Sequence, residues 1–292
     1  MYYAIPEFGI DFCTNFNIFY YEYIKLIKLI TRKAYYQFRL KRSSYFFFFI
    51  TSIFSSLTRA ESNLEEKAIE QTRYASGVQS ILVSHQYLQK NKAPLYWHIS
   101  PYYLPQMTDS SCSLASATMI VNAARSHQKF AANESLATQD ELLNRVNDDA
   151  WRDGVKQGGD GITLAQLKLF MAKALEAYGV HNFTIDMVQL KNNSQENELA
   201  LHKAILESEK TGKTFIIANF NQKFFTGASS VGHFSPIGAY DSATKRVLMM
   251  DPDRQLYEPY WVPEKLLLNS MSTPDKESGY HRGYLIIRLK SA

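Results

Sequence analysis

Residues 112–127, CSLASATMIVNAARSH, are alanine-rich with one charge before the last position, the pattern of a helix buried on all sides. The polar Thr108-Asp109-Ser110-Ser111 in front of it offers several N-caps. Gly158-Gly159-Asp160-Gly161 predicts a turn, and Thr163-Leu164-Ala165-Gln166 a capping box. Leu164, Leu167, Met171, Ala174, Leu175 and Tyr178 then recur at helical spacing as far as Gly179. Ser194 opens a further predicted helix that ends near Gly212. The stretch 61–92 reads as helix or helix plus loop, on the weaker anchors Val78, Ile81, Leu82 and Leu88.

After Gly212 the period changes. Residues 215–220, 231–240, 246–251, 257–262 and 284–289 are short strand candidates, with a small helix over 263–271. Helices first and strands later, without β-α-β alternation, predict an α+β fold with an antiparallel sheet. Residues 61–292 suit a single domain of moderate size.

Charge and aromatic content set the first 60 residues apart. Eight of the 32 basic residues lie there (Lys25, Lys28, Arg32, Lys33, Arg39, Lys41, Arg42, Arg59), against three of the 28 acids. The chain's formal +4 therefore belongs to this segment; the body is close to neutral, which removes the main support for nucleic-acid binding. Residues 40–60 run from Lys41-Arg42 through an apolar Tyr45–Phe54 stretch to Thr58 and Ala60 at the −3 and −1 positions of a small-residue end. That is the order of a secretory signal peptide, and the apolar run is about half the roughly 20 residues a membrane span needs. The expectation is a leader over 1–60, with 1–39 an over-called start, and a secreted or periplasmic body without stable membrane association.

Cys13 lies in the leader, so Cys112 is left as the body's single thiol. An exported protein has little reason to keep one unless something uses it. At the start of a helix, partial positive charge favours thiolate. The hairpin 231–251 supplies a base. If Tyr240 pairs with Thr244 across Asp241-Ser242-Ala243, His233 faces Asp251, at a separation where a carboxylate fixes the imidazole tautomer. A four-residue loop would flip one of the two side chains to the other face, and Pro236 adds a further possible irregularity. Gln106, six residues before the cysteine, is placed to donate to an oxyanion beside a helix N–H.

Several ordered motifs resemble the phytochelatin synthase family of papain-like enzymes. Gln106 stands six residues before Cys112-Ser113-Leu114-Ala115-Ser116, where the family has Cys-Gly-Val/Leu-Ala-Ser. Gly232-His233-Phe234-Ser235-Pro236 matches Gly-His-x-Ser-Pro; Asp251-Pro252-Asp253-Arg254 with Tyr257 and Pro259 matches Asp-x-x-Arg-x-Lys-Tyr-x-Pro. Gly161-Ile162-Thr163-Leu164 and Arg282-Gly283-Tyr284 resemble a helix start and the last strand, so the likeness spans about 95–290. It implies a papain-like two-lobe fold, helical lobe against sheet lobe. It further implies Cys112 as nucleophile, His233 as base then acid, Asp251 as its orienter and Gln106 as oxyanion donor. Arg254, Tyr257 and Ser235 would hold substrate. The implied substrate is glutathione, cleaved at its Cys–Gly bond through a γ-Glu-Cys thioester that water or a second glutathione discharges. No cofactor is required, and cadmium or zinc would enter as a glutathione thiolate complex.

Three positions depart from the family: Ser113 replaces the glycine after the nucleophile, Ser111 the usual Tyr, and Leu256 the usual Lys. With two cysteines in all, no stretch resembles the Cys-rich C-terminal region of the plant enzymes. The competing readings are a general cysteine peptidase or amidase with the same triad, and a non-catalytic thiol-metal binding protein. Against the last, His85, His98, His127, His181, His202 and His281 form no short cluster along the chain.

Overall fold

The computed structural model describes residues 73–290, apart from 129, 228, 229 and 277. The leader read over 1–60 lies outside the described residues, as does the first part of the helical stretch expected from 61. What is described of that stretch is a two-residue strand β1 (Gln79–Ser80) and a short helix α1 (Gln86–Lys90). Val78 is buried while Leu82 is exposed, so these anchors do not form one helical face. The chain instead pairs with the sheet edge, Gln79 opposite Trp261.

Helices dominate the first half: α2 (Pro94–Ile99), α3 (Cys112–Arg125), α4 (Gln139–Val146), α5 (Asp149–Val155) and α6 (Leu164–Ala177). Every residue of α3 is buried. The Thr163 capping box forms, with Gln166 N–H donating to Thr163 Oγ1 and Thr163 N–H to Gln166 Oε1. Helices α4 and α5 are not among the sequence expectations, being too short for a 3.6-residue period to stand out; Thr138 and Asp148 cap them.

The second half holds β2 (Phe183–Gln189), α7 (Gln195–Thr211), β3 (Thr214–Asn221), β4 (Gly232–Asp241), β5 (Arg246–Met249), β6 (Tyr260–Pro263), α8 (Glu264–Met271) and β7 (Gly283–Leu289). Ser194 caps α7, and Gly212 ends it at φ +60, where a β-carbon would also run into His98. The strands form one seven-stranded sheet in the order β1-β6-β5-β4-β3-β7-β2, and every pairing is antiparallel. The fold is α+β. Strands β3 and β4 are buried on both faces, with α3 packed on β4, and α7 and α8 on β3.

The β4–β5 register differs from the expected one. Asp241 pairs with Arg246 and Tyr240 with Val247, so the loop is the four residues 242–245. This register alone would put His233 and Asp251 on opposite faces. A bulge between Ile237 and Ala239 reverses that: Ala239 pairs with Leu248 and Ile237 with Met249, which leaves Gly238 as the extra residue. Met250 N–H donates to Pro236 C=O at 2.9 Å and carries the shifted register past the end of β5. His233 and Asp251 thus share a face, as diagonal rather than direct neighbours.

Candidate active site

Cys112 is the first residue of α3 and is 9% exposed. Ser111 in front of it turns its hydroxyl away from the helix: Oγ accepts from Met107 N–H at 2.9 Å and Thr108 N–H at 2.8 Å. The helix therefore begins without a side-chain cap. Its first-turn N–H groups stay available to an anion beside the thiol.

His233 comes from the start of β4, opposite Phe220 of β3, whose ring meets the imidazole edge-on at 5.5 Å between centroids. His233 Nε2 lies 2.7 Å from Asp251 Oδ1. The second ring nitrogen is left for Cys112, which lines the same cleft and whose sulfur acts on the imidazole electrostatically. Burial works against a charged ring, but the Asp251 carboxylate and Cys112 outweigh it and hold the His233 pKa well above the ordinary histidine value.

Asp251 is fully buried and is supplied with donors. Tyr260 Oη donates to Oδ2 at 2.5 Å, and Asp253 N–H to Oδ1 at 2.9 Å. Tyr103 Oη donates to the Asp251 carbonyl at 2.6 Å. Burial pushes the Asp251 carboxyl up, yet the His233 charge and the hydrogen bonds from His233, Tyr260 and Asp253 N–H bring it below the usual aspartate value. Tyr260 and Tyr103 are absent from the sequence expectations. Nothing in their spacing marks them, because they meet Asp251 only once α2, β5 and β6 have been brought together.

Cys112 and His233 open onto a cleft of about 740 Å³, also lined by Gln106, Asp253, Leu256 and Arg282. Gln106 N–H donates to Pro252 C=O at 2.8 Å, which ties it to the segment after Asp251. Its Oε1 is buried without a partner. The structure thus brings Cys112, His233, Asp251 and Gln106 together. The other three candidates lie elsewhere. Arg254 sits over the ring of Tyr103, 4.6 Å from its centroid; Tyr257 packs against Tyr74 and Tyr260. Ser235 is fully buried, its hydroxyl donating to Pro236 C=O. None of the three lines the cleft.

The charged groups that do line it near Gly232 are Arg282, Asp275 and Lys276. Arg282 is 6% exposed, donates to Thr273 Oγ1 and Pro274 C=O, and lies 3.4 Å from Asp275. Its Nε has no partner. Burial lowers the Arg282 pKa, and Asp275 opposes that. Ser113, the residue after the nucleophile, is buried with its hydroxyl unpartnered. Among the described residues no group of three or more His, Cys, Asp or Glu is placed to hold a metal ion.

Residues 61–284 match the family model described as phytochelatin synthase. Glutathione gamma-glutamylcysteinyltransferase 1 of Arabidopsis thaliana is 26% identical over 219 residues, covering 73% of this chain and 41% of the relative. The glutathione gamma-glutamylcysteinyltransferase of Schizosaccharomyces pombe is 24% identical over 200 residues, 68% of this chain and 45% of the relative. A shorter match, 50% identical over 62 residues, is to glutathione gamma-glutamylcysteinyltransferase 3 of Lotus japonicus, covering 21% of this chain and 13% of the relative. The chain spans less than half the length of these curated relatives.

Proposed function

The chain belongs to the phytochelatin synthase family, and on that premise we propose that it cleaves the Cys–Gly bond of glutathione and passes the γ-Glu-Cys group mainly to water. The observation that carries this reading is the buried His233, held by Asp251 on one nitrogen and lining one cleft with Cys112. A helix carrying the thiol against a sheet carrying the base supports the papain-like two-lobe reading.

In the proposed reaction the Cys112 thiolate attacks the Cys–Gly carbonyl. The tetrahedral oxyanion accepts from the helix-start N–H and the Gln106 amide. His233 gives its proton to the departing glycine amine as the C–N bond breaks, leaving a thioester. Water then attacks that thioester, His233 takes its proton, and the C–S bond breaks to release γ-Glu-Cys. The γ-glutamyl head carries a carboxylate and an ammonium, for which Arg282 and Asp275 in the lining of the cleft are complementary. Cadmium or zinc takes part as a glutathione thiolate, hence as substrate, with detoxification or glutathione turnover as the setting.

The bias towards water rests on what the acceptor side lacks. Leu256, where the family usually has Lys, lines the cleft and is 55% exposed. Arg254 and Tyr257 are turned elsewhere. A second glutathione brings carboxylates that need pairing, and losing one charge-assisted hydrogen bond costs about 1.5–3 kcal/mol. The test is a mass-spectrometric time course with millimolar glutathione, with and without cadmium. Glycine and γ-Glu-Cys are the expected main products; dominant (γ-Glu-Cys)2-Gly, or no glycine, counts against the reading.

The order of residues 40–60 supports export to the periplasm or medium, with cleavage after Ala60. The exported protein should have an intact mass beginning at Glu61; one that retains residues 40–60 would rule the leader out. Among the described residues no helix is long and apolar enough to cross a membrane.

A further inference from the structure

The loop that follows the buried aspartate sends its side chains to different places. Asp253, Gln255 and Leu256 line the cleft, while Arg254 covers Tyr103 and Tyr257 packs inward. The charged group that this loop delivers to the cleft is therefore an acid. Its place is fixed by the backbone. Asp253 N–H donates to Asp251 Oδ1, and Asp253 C=O accepts from Leu256 and Tyr257 N–H at 3.1 and 2.9 Å. One residue earlier, Pro252 C=O accepts from Gln106 N–H, so the loop is clamped against the group assigned to the oxyanion. Asp253 is part-buried. Desolvation, then the Asp251 charge, push its carboxyl above the usual aspartate value, while His233 acts the other way.

We propose that Asp253 is a specificity-determining residue that selects against a carboxylate on the group leaving or approaching the Cys112 acyl centre. The inference rests on the glutathione reading above. In this reading the γ-glutamyl head is assigned to Arg282 and Asp275, and the glycine of the donor and any incoming thiol peptide to the part of the cleft lined by Asp253, Gln255 and Leu256. A glutathione glycine carboxylate there meets a fixed like charge in a partly desolvated cleft. At about 6 Å and an effective dielectric near 40, one such charge is worth roughly tenfold in binding. The preferred donors are then γ-glutamylcysteinyl amides whose leaving group ends neutral or cationic, and a carboxylate-bearing acceptor is disfavoured for the same reason.

The test compares glutathione with glutathione esterified on its glycine carboxyl, in the wild-type protein and in Asp253→Asn. The wild type should show kcat/KM about tenfold higher for the ester. Asp253→Asn should shrink that ratio towards one by gaining on glutathione, mainly through KM, and should raise the share of transfer over hydrolysis. A residue that merely braces Asp251 would lose on both donors alike, and that outcome overturns the proposal. So does a wild type that treats acid and ester equally, a comparison that stands even if the variant does not fold. Cleavage of neither donor would overturn the glutathione reading, and this inference with it.

Discussion

The side chain of Met250 occupies the space that a β-carbon on Gly238 would need, its Cγ and Sδ 2.5 and 2.7 Å from that position. Gly238 is the extra residue of the β4 bulge, and the bulge brings His233 and Asp251 to one face. Packing and the geometry of the proposed catalytic pair therefore meet at this contact. Gly238→Ala forces Met250 to move or the bulge to slip. It should cost about 1–3 kcal/mol of stability, as overpacking does, with a larger fractional loss of glycine release than the loss of folded protein accounts for. Thermal melts and rates on the same preparation check this; activity in proportion to folded protein would separate the bulge from the site.

The His233–Asp251 pair makes stability depend on pH in a defined sense. Asp251 has its pKa lowered by folding, so its contribution is present above the ordinary carboxyl range of about 4 and is lost as pH falls through the folded value. His233 has its pKa raised, so its contribution is present below the ordinary value of about 6.5 and is lost as pH rises through the folded one. Both act fully between about pH 4 and 6.5. His233→Ala, which leaves Asp251 buried without its counter-charge, should cost about 3–5 kcal/mol there, with a gap to wild type that narrows at alkaline pH. Urea unfolding over a pH series measures it, and a gap independent of pH would contradict the pairing.

Tyr260→Phe removes one of the donors to Asp251 while keeping the ring that packs on Phe225 and Tyr257. The expected cost is about 1.5–3 kcal/mol, the worth of a hydrogen bond to a charged group. The midpoint of acid unfolding should move to higher pH, since Asp251 loses part of what keeps it ionised. An unmoved acid midpoint would show that the Tyr260 hydroxyl does not support the carboxylate.

Much of this was legible from residues whose meaning is local. The Thr163 capping box and the helix from Ser194 to Gly212 follow from caps and spacing that act within a few residues. Cys112 at a helix start and His233 on a strand were equally open to reading. The register between His233 and Asp251 was not, because a four-residue loop and a one-residue bulge each invert the face and cancel only when both are present. Tyr260 and the Arg282–Asp275 pair were hidden for a different reason. Tyr260 meets Asp251 only across the sheet, and Arg282 with Asp275, though close in sequence, faces the cleft only once it packs beside Gly232; neither belongs to a periodic pattern.

Gln106 offers a sharper check on the nucleophile end. Its backbone is tied to Pro252 and its side chain faces the cleft with Cys112, so Gln106→Ala should fold normally. If the amide holds the oxyanion, kcat should fall by about 10²–10³ with little change in KM. A silent substitution would mean that the helix-start N–H groups serve the oxyanion without it.

The central claim is that the γ-Glu-Cys group passes through a thioester on Cys112, and trapping that species tests it most directly. Protein mixed with glutathione, quenched in acid within the first turnovers and digested, is searched by mass spectrometry for γ-Glu-Cys on the peptide containing Cys112. The prediction is a modified peptide in the wild type, removed by hydroxylamine and absent from Cys112→Ala, which should also release no glycine. Glycine release that continues in Cys112→Ala, or a wild-type Cys112 that stays unmodified throughout steady turnover while the label appears on another residue, would contradict the account.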